Sequence, residues 1–283
     1  ITLAARDHAK ALHAAADLNK TLGGERVTGI ALDASDETAL RAAFKSCELV
    51  IVCMPFTHNA RCVIRAAHDA GIHYIDINGD EEKHAALKEL NGSLRGSGQC
   101  FLTEVGIFPG LPSMTAFFGR EHFDTVEKIT VGSLMKDPLM PYGSSFDIMS
   151  HIGKPSFVFR NGAWKKVRLV AARKIAFKAP FGPQYCFPIT LAEMQGVPDQ
   201  IGCKEVGVYQ AGMNPFIDPL VFAWTLLKLS RTPQGLKWGV DLFMWGNRVF
   251  TRPPFGFMLR MDAIGTRQRR REKLTVLIGH EDV

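Results

Sequence analysis

The chain predicts an α/β fold in two parts: a parallel-sheet domain, then an α+β domain with a mostly antiparallel sheet. Three observations carry this. Up to about Gly119, short apolar runs alternate with stretches of helical periodicity, as strands joined by crossover helices do. From about Val126 the alternation shortens to two residues, as in "EKITVGSLM", the period of a half-buried antiparallel strand. Asn161-Gly162 then splits "PSFVFRNGAWKKVRL" into two strand-like halves, and Asn-Gly is the pair that fills a type I′ hairpin turn. The change of rhythm puts the boundary near residues 112–125, giving a first domain over 1–120 and a second over 121–283.

Each element has its own signal. Residues 1–5 are a short apolar run, Arg6-Asp7 a polar turn and 9–18 an Ala/Leu-rich helical stretch; 27–32 is the next strand. In "DASDETALRAAF", Ser35 is placed to cap a helix whose apolar stripe is Leu40, Ala43 and Phe44. "ELVIVCMP" is apolar throughout, as a strand buried on both faces would be. Thr57 caps a helix bearing Ala60, Val63, Ile64 and Ala67, and Gly71 stops it. "HYIDI" is a strand, 80–94 a helix, "QCFLTE" a strand, and "PGLPSMTAFFG" opens a further helix. This succession is that of a Rossmann-type domain. In the second domain "KEVGVYQ" is a strand, 219–229 is helical, and "RMDAIG" and "KLTVLIG" form a hairpin around the basic run 267–273.

Composition narrows the function. With 46% hydrophobic and 22% charged residues the chain has the make-up of an ordinary globular protein. The net charge of +6 is mild and concentrated in the run 267–273, read as a solvated turn, so nucleic acid is not an expected partner. The cysteines at 47, 53, 62, 100, 186 and 203 lack CxxC spacing and read as free thiols of a reducing, cytoplasmic protein. No Cys/His set has zinc-ligand spacing, so no metal is expected. No nucleophile elbow or P-loop supports a hydrolase or an ATPase. No apolar run reaches the ~18 residues of a spanning helix. Residues 216–257 are nevertheless rich in Phe, Trp and Leu, enough for a dimer interface or for peripheral contact with a lipid surface.

In a Rossmann-type sheet the ligand lies at the carboxyl ends of the strands, so the candidate residues are those of the strand ends. Arg6 and Asp7 end the first strand. An arginine there can pair with the 2′-phosphate of NADP, which favours NADP over NAD; otherwise Arg6 is a solvated strand-end residue. Asp33, Ala34 and Ser35 follow the second strand, and Asp33 reads equally as a ribose or adenine contact and as a turn residue. Met54-Pro55 suits a surface stacked on a cofactor ring, or simply ends its strand. Asp76, alternating with Tyr74, is a carboxylate able to orient substrate or relay a proton, unless it only bonds a neighbouring loop. Glu104 shares that choice. His58, His68, His73, His84 and His151 show no partner spacing.

The stretch "DAGIHYIDINGDEEKHAALKELNGSLRGSGQCFLTEVGIFPGLPSM" resembles the saccharopine dehydrogenase-like oxidoreductases, through the motifs AGIHYID and VGIFPGLPS. "VGSLMKDP" and "KPSFVFRNGAWKKV" resemble second-domain segments of the same family. The resemblance implies an NADP- or NAD-dependent oxidoreductase transferring hydride at a C–N bond of an amino-acid-derived imine or secondary amine. It implies a strand and glycine-rich loop ahead of Ile1 and further elements after Val283. It also carries Arg6, Asp33, Ala34, Met54, Pro55 and Asp76 over as pocket or pocket-rim residues. Asp76 or Tyr74 would then supply the proton. One departure stands out. "CFPITLAEMQGVPDQIGCKEV" lacks the arginine that clamps a substrate carboxylate in lysine- and saccharopine-specific relatives. Two other readings therefore stay open: a dinucleotide-binding protein with a regulatory or membrane-associated role, and an NADPH-dependent reductase of an acyl-chain substrate.

Overall fold

In the computed structural model, which describes residues 1–54, 59–79, 81–151, 154–168 and 171–281, the chain divides into two units, Ile1–Val105 and Gly106–Val283. The first unit opens with β1 (Thr2–Ala5), α1 (His8–Leu22) and β2 (Thr28–Ala31), the strands pairing in parallel. α1 lies directly on β2. A Cβ added to Gly29 would come within 2.6 Å of the Ala11 backbone, so only glycine admits this approach. Asn19 closes the unit by accepting from the Arg26 and Val27 amides, each at 2.8 Å.

After α2 (Glu37–Phe44) come β3 (Leu49–Val52), α3 (Ala60–Asp69), β4 (His73–Asp76), α4 (Glu81–Leu94) and β5 (Phe101–Leu102). The cap of α2 is Asp36 rather than Ser35, because the Ser35 amide and hydroxyl are both committed to Asp33. Thr57 and Pro55 lie outside the described residues. β3, β4 and β5 form a parallel sheet whose one face, through Val52 and Tyr74, meets Leu40, Phe44, Ile64 and Ala67. On the other face Leu49 is 41% and Ile51 58% exposed among the described residues. The pair β1–β2 and the triple β3–β4–β5 share no ladder among the described residues. In a doubly wound sheet of order 3-2-1-4-5-6 these are the two flanks of the central strand.

The second unit starts earlier than the sequence pattern places it, at residue 106 rather than 121. The reason is α5 (Leu111–His122), whose Leu111 and Ala116 join the core of the second sheet. Then follow β6 (Thr125–Lys136), α6 (Tyr142–His151), β7 (Ser156–Arg160), β8 (Ala163–Val167), β9 (Arg173–Ala176) and β10 (Pro183–Ile189). α7 (Val197–Ile201), β11 (Glu205–Ala211), α8 (Ile217–Leu226), α9 (Pro233–Phe250), β12 (Gly256–Arg267) and β13 (Arg270–Glu281) complete it. The sheet runs β13-β12-β6-β11-β10-β9, with β7 pairing β11 and β8. Among the described residues every pairing is antiparallel except β11–β6. Val131, Val208 and Met261, level with one another on adjacent strands, face α5 and α7. Asn161 and Gly162 both take positive φ, 52° and 79°, as the type I′ turn requires. The basic run 267–273 forms a second such turn, and its Arg271 and Lys273 pair with Glu127 and Asp262 at 3.0 and 3.3 Å.

Candidate active site at the strand ends

Two groups of side chains gather at the carboxyl ends of the parallel strands. The first belongs to β1 and β2. Asp33 accepts from the Ser35 amide at 2.9 Å and the Ser35 hydroxyl at 2.7 Å. Those two bonds, and then the charge of Arg6, hold its carboxyl below the usual carboxylate range. Arg6 itself is exposed and makes no ion pair among the described residues. The result is an open guanidinium able to donate to a phosphate, beside an ionised carboxylate able to accept from a sugar hydroxyl.

The second group lies beyond β3, β4 and β5 and is centred on Asp76, which is fully buried. Its Oδ1 accepts from Lys83 Nζ at 2.7 Å and from the Asn78 and Glu104 amides at 3.1 Å each; its Oδ2 accepts from the Thr103 hydroxyl at 3.0 Å. Lys83, on the first turn of α4 and equally buried, also donates to the Asn78 carbonyl. A buried charge pair is tolerable only when its remaining valences are met, and here they are. Asn78 donates from Nδ2 to the Met54 carbonyl at 2.7 Å, tying the loop after β3 to that after β4. Glu104, buried and at φ 59°, turns the chain so that its Oε1 meets His84 Nε2 at 2.8 Å. A non-glycine residue in that conformation is held there by its surroundings. His84 is partly exposed and is the solvent-facing end of the group.

Of the residues expected from sequence, Arg6, Asp33 and Ser35 come together, and Asp76, Glu104 and Met54 form part of the second group. Asp7 is the N-cap of α1, accepting from the Lys10 amide at 3.2 Å. Ala34 is buried against Leu40 and Phe44 and can offer a ligand only backbone. Pro55 lies outside the described residues. Tyr74 is placed in the core, stacked on Phe101 with ring centres 5.2 Å apart. Burial, and then the Asp76 charge, push its hydroxyl far above the ordinary tyrosine value, so it stays neutral and packed. Sequence reasoning missed Lys83 and the His84–Glu104 pair. The i to i+1 spacing of Lys83 and His84 on a helix gives no hint that one turns inward and the other reaches a strand end.

The second unit holds a further charged group. Glu205 on β11 meets Lys128 at 3.0 Å, Arg173 at 3.1 Å and Arg160 at 3.7 Å, and Arg173 lies 5.1 Å from the centre of the Tyr209 ring. Burial alone would raise the Glu205 carboxyl, but Lys128 and Arg173 hold it low. Arg173 stands on β9, opposite Cys186 of β10.

A parallel-sheet domain with charged strand ends, followed by a large mixed sheet, defines a dehydrogenase-type architecture. Residues 1–95 match the family model described as Saccharopine dehydrogenase NADP binding domain. Among solved structures, the fold is similar to apo saccharopine dehydrogenase (L-Glu forming) from Saccharomyces cerevisiae, with a TM-score of 0.67 and 14% identity over 99% of this chain and 79% of that one. GenD2 from gentamicin A biosynthesis, in complex with NAD, matches at TM-score 0.42 and 14% identity, over 97% of this chain and 64% of that one. A probable dehydrogenase from Thermotoga maritima matches at TM-score 0.45 and 9% identity, over 96% and 66%. The protein is an NAD(P)-dependent oxidoreductase. The match to the saccharopine dehydrogenase NADP-binding model falls within the first unit.

Proposed function

We propose that this protein is an NADP(H)-dependent oxidoreductase acting at the C–N bond of an amino-acid-derived imine or secondary amine. The observation that carries the cofactor choice is Arg6 at the end of β1, exposed, beside Asp33 and Ser35 and without an ion pair among the described residues. A bound nicotinamide dinucleotide supplies the hydride. The chain supplies the rest. Arg6 holds the 2′-phosphate, while Asp33 and Ser35 orient the sugar. Asp76 and Lys83 fix the loops after β3, β4 and β5 without touching the reactants. His84, steadied at Nε2 by Glu104, gives its Nδ1 proton, when the ring is the imidazolium, to the substrate nitrogen as the carbon is reduced and is left as the neutral ring.

The test is thermal stabilisation by NADPH and NADH, with and without Arg6→Ala. NADPH should raise the melting temperature more than NADH. Loss of a charge-assisted contact of about 1.5–3 kcal/mol should weaken NADPH binding roughly tenfold to a hundredfold and leave NADH little changed. Equal stabilisation by both cofactors, unaffected by the substitution, would remove the NADP reading.

A further inference from the structure

The surface made by α8, the turn after it and α9 exposes more apolar side chain than the fold uses. Leu226, the last residue of α8, is 71% exposed and Leu227 67%. Lys228 takes a left-handed conformation at φ 57°, which reverses the chain and leaves the two leucines at a tip. Phe222, one turn earlier, is also exposed. On α9, Trp238 and Trp245 are seven residues apart, two helical turns along one face, and are 60% and 51% exposed. The inner faces of both helices are already satisfied, with Ile217, Val240 and Phe243 packed on Met140, Met149 and Met213.

Charge decides what covers this surface. Lys228, Arg231, Lys237, Arg248 and Arg252 are all exposed and none makes an ion pair among the described residues. Asp241 is the exposed acid among them, since Asp218 is turned inward to cap the Met213 amide at 2.8 Å. A second copy of the chain would set this basic surface against itself, because a two-fold contact repeats the same patch on both sides. An anionic bilayer answers every part of it: phosphates for the cations, the interfacial layer for the indoles, acyl chains for the leucines. No helix among the described residues is long and apolar enough to cross a membrane, so contact is from the surface.

We propose that the α8–α9 surface docks on an anionic lipid bilayer, with Leu226 and Leu227 entering the interface and the flanking cations meeting lipid phosphates. The proposal is independent of the oxidoreductase reading. It is tested by sedimenting the protein with phosphatidylcholine vesicles, with and without phosphatidylglycerol. Binding should require phosphatidylglycerol and weaken as salt is raised. In such vesicles, brominated acyl chains should quench tryptophan fluorescence. Leu226→Ser with Leu227→Ser should weaken binding about tenfold or more, as loss of an apolar anchor does. Lys237→Glu with Arg248→Glu should do the same without touching an apolar contact, which keeps the test valid if the serine variant melts early. Failure to bind either vesicle overturns the proposal. So does equal binding to both vesicles, insensitive to the substitutions. A dimer in solution that these substitutions break, with no vesicle binding, assigns the surface to a second copy instead.

Discussion

At the scale of single residues, the decisive group is one that sequence patterns half reveal. Asp76 was visible as a carboxylate at a strand end, but what it does depends on Lys83, seven residues on, whose ammonium turns inward to meet it. Removing one member of such a pair strands the other in a medium that solvates it poorly. Lys83→Met should therefore destabilise the first unit by about 3–5 kcal/mol. The double variant with Asp76→Asn should recover much of that loss, and urea unfolding of the single and double variants measures the coupling. If Lys83→Met unfolds like the parent, the pair is not structural. The residues at the β1 and β2 ends were legible because strand-end position alone nominates them. Tyr74 was not, since alternation along β4 shows that it and Asp76 share a face but not that this face is the core.

At the scale of elements, the turn chemistry was the most readable feature: Asn161-Gly162 forms the hairpin its sequence announces. What the chain hides is support from a distance. The start of α5 is held by Glu193, whose carboxylate accepts from the Gly110 amide at 2.9 Å and the Ser113 amide at 3.3 Å across about eighty residues of sequence. No local signal gives this, because the cap comes from the loop after β10 rather than from the residue before the helix. It also fills the helix N-terminus with a carboxylate of the protein's own. Glu193→Ala should cost about 1–2 kcal/mol, the range of a lost cap, read as an earlier midpoint in urea. A midpoint unchanged from the parent would show that water replaces it at no cost. The same limit explains the early boundary, since the pattern of α5 does not say which sheet it joins.

At the scale of the whole molecule, the cysteines and acids set two solution properties. All six cysteines are free, as their spacing implied. Burial pushes the Cys186 thiol up to about 12 and that of Cys203 to about 11, whereas Cys53 and Cys100 are exposed. A thiol reagent at mildly alkaline pH should modify Cys53 and Cys100 first and reach Cys186 and Cys203 only on unfolding. Mass spectrometry of timed samples checks this, and early labelling of Cys186 would contradict the buried β10. Against burial, which alone would raise it, hydrogen bonds from Arg260 and Thr275 and the charges of Arg260 and Lys273 hold the Asp262 carboxyl low. Glu205 is held low by its cations in the same way. A carboxyl whose folded pKa lies below its unfolded one adds stability above the unfolded value and loses it as pH falls through the folded one. Asp218, raised by burial, works in the opposite direction. Thermal stability should accordingly fall on acidification below about pH 4, and Asp262→Asn should flatten that fall.

Among the described residues the two parallel ladders of the first unit share no hydrogen bond, but they share a core: Leu32 and Ala34, just past β2, pack in one cluster with Val52 of β3 and Tyr74 of β4. Backbone amides that depend on one packed cluster open together, so those of β2 and β4 should exchange with similar opening free energies. A dinucleotide held by Arg6 should then slow isotope exchange at β4 as well as at β2, since what is braced at one strand end is the cluster beneath both.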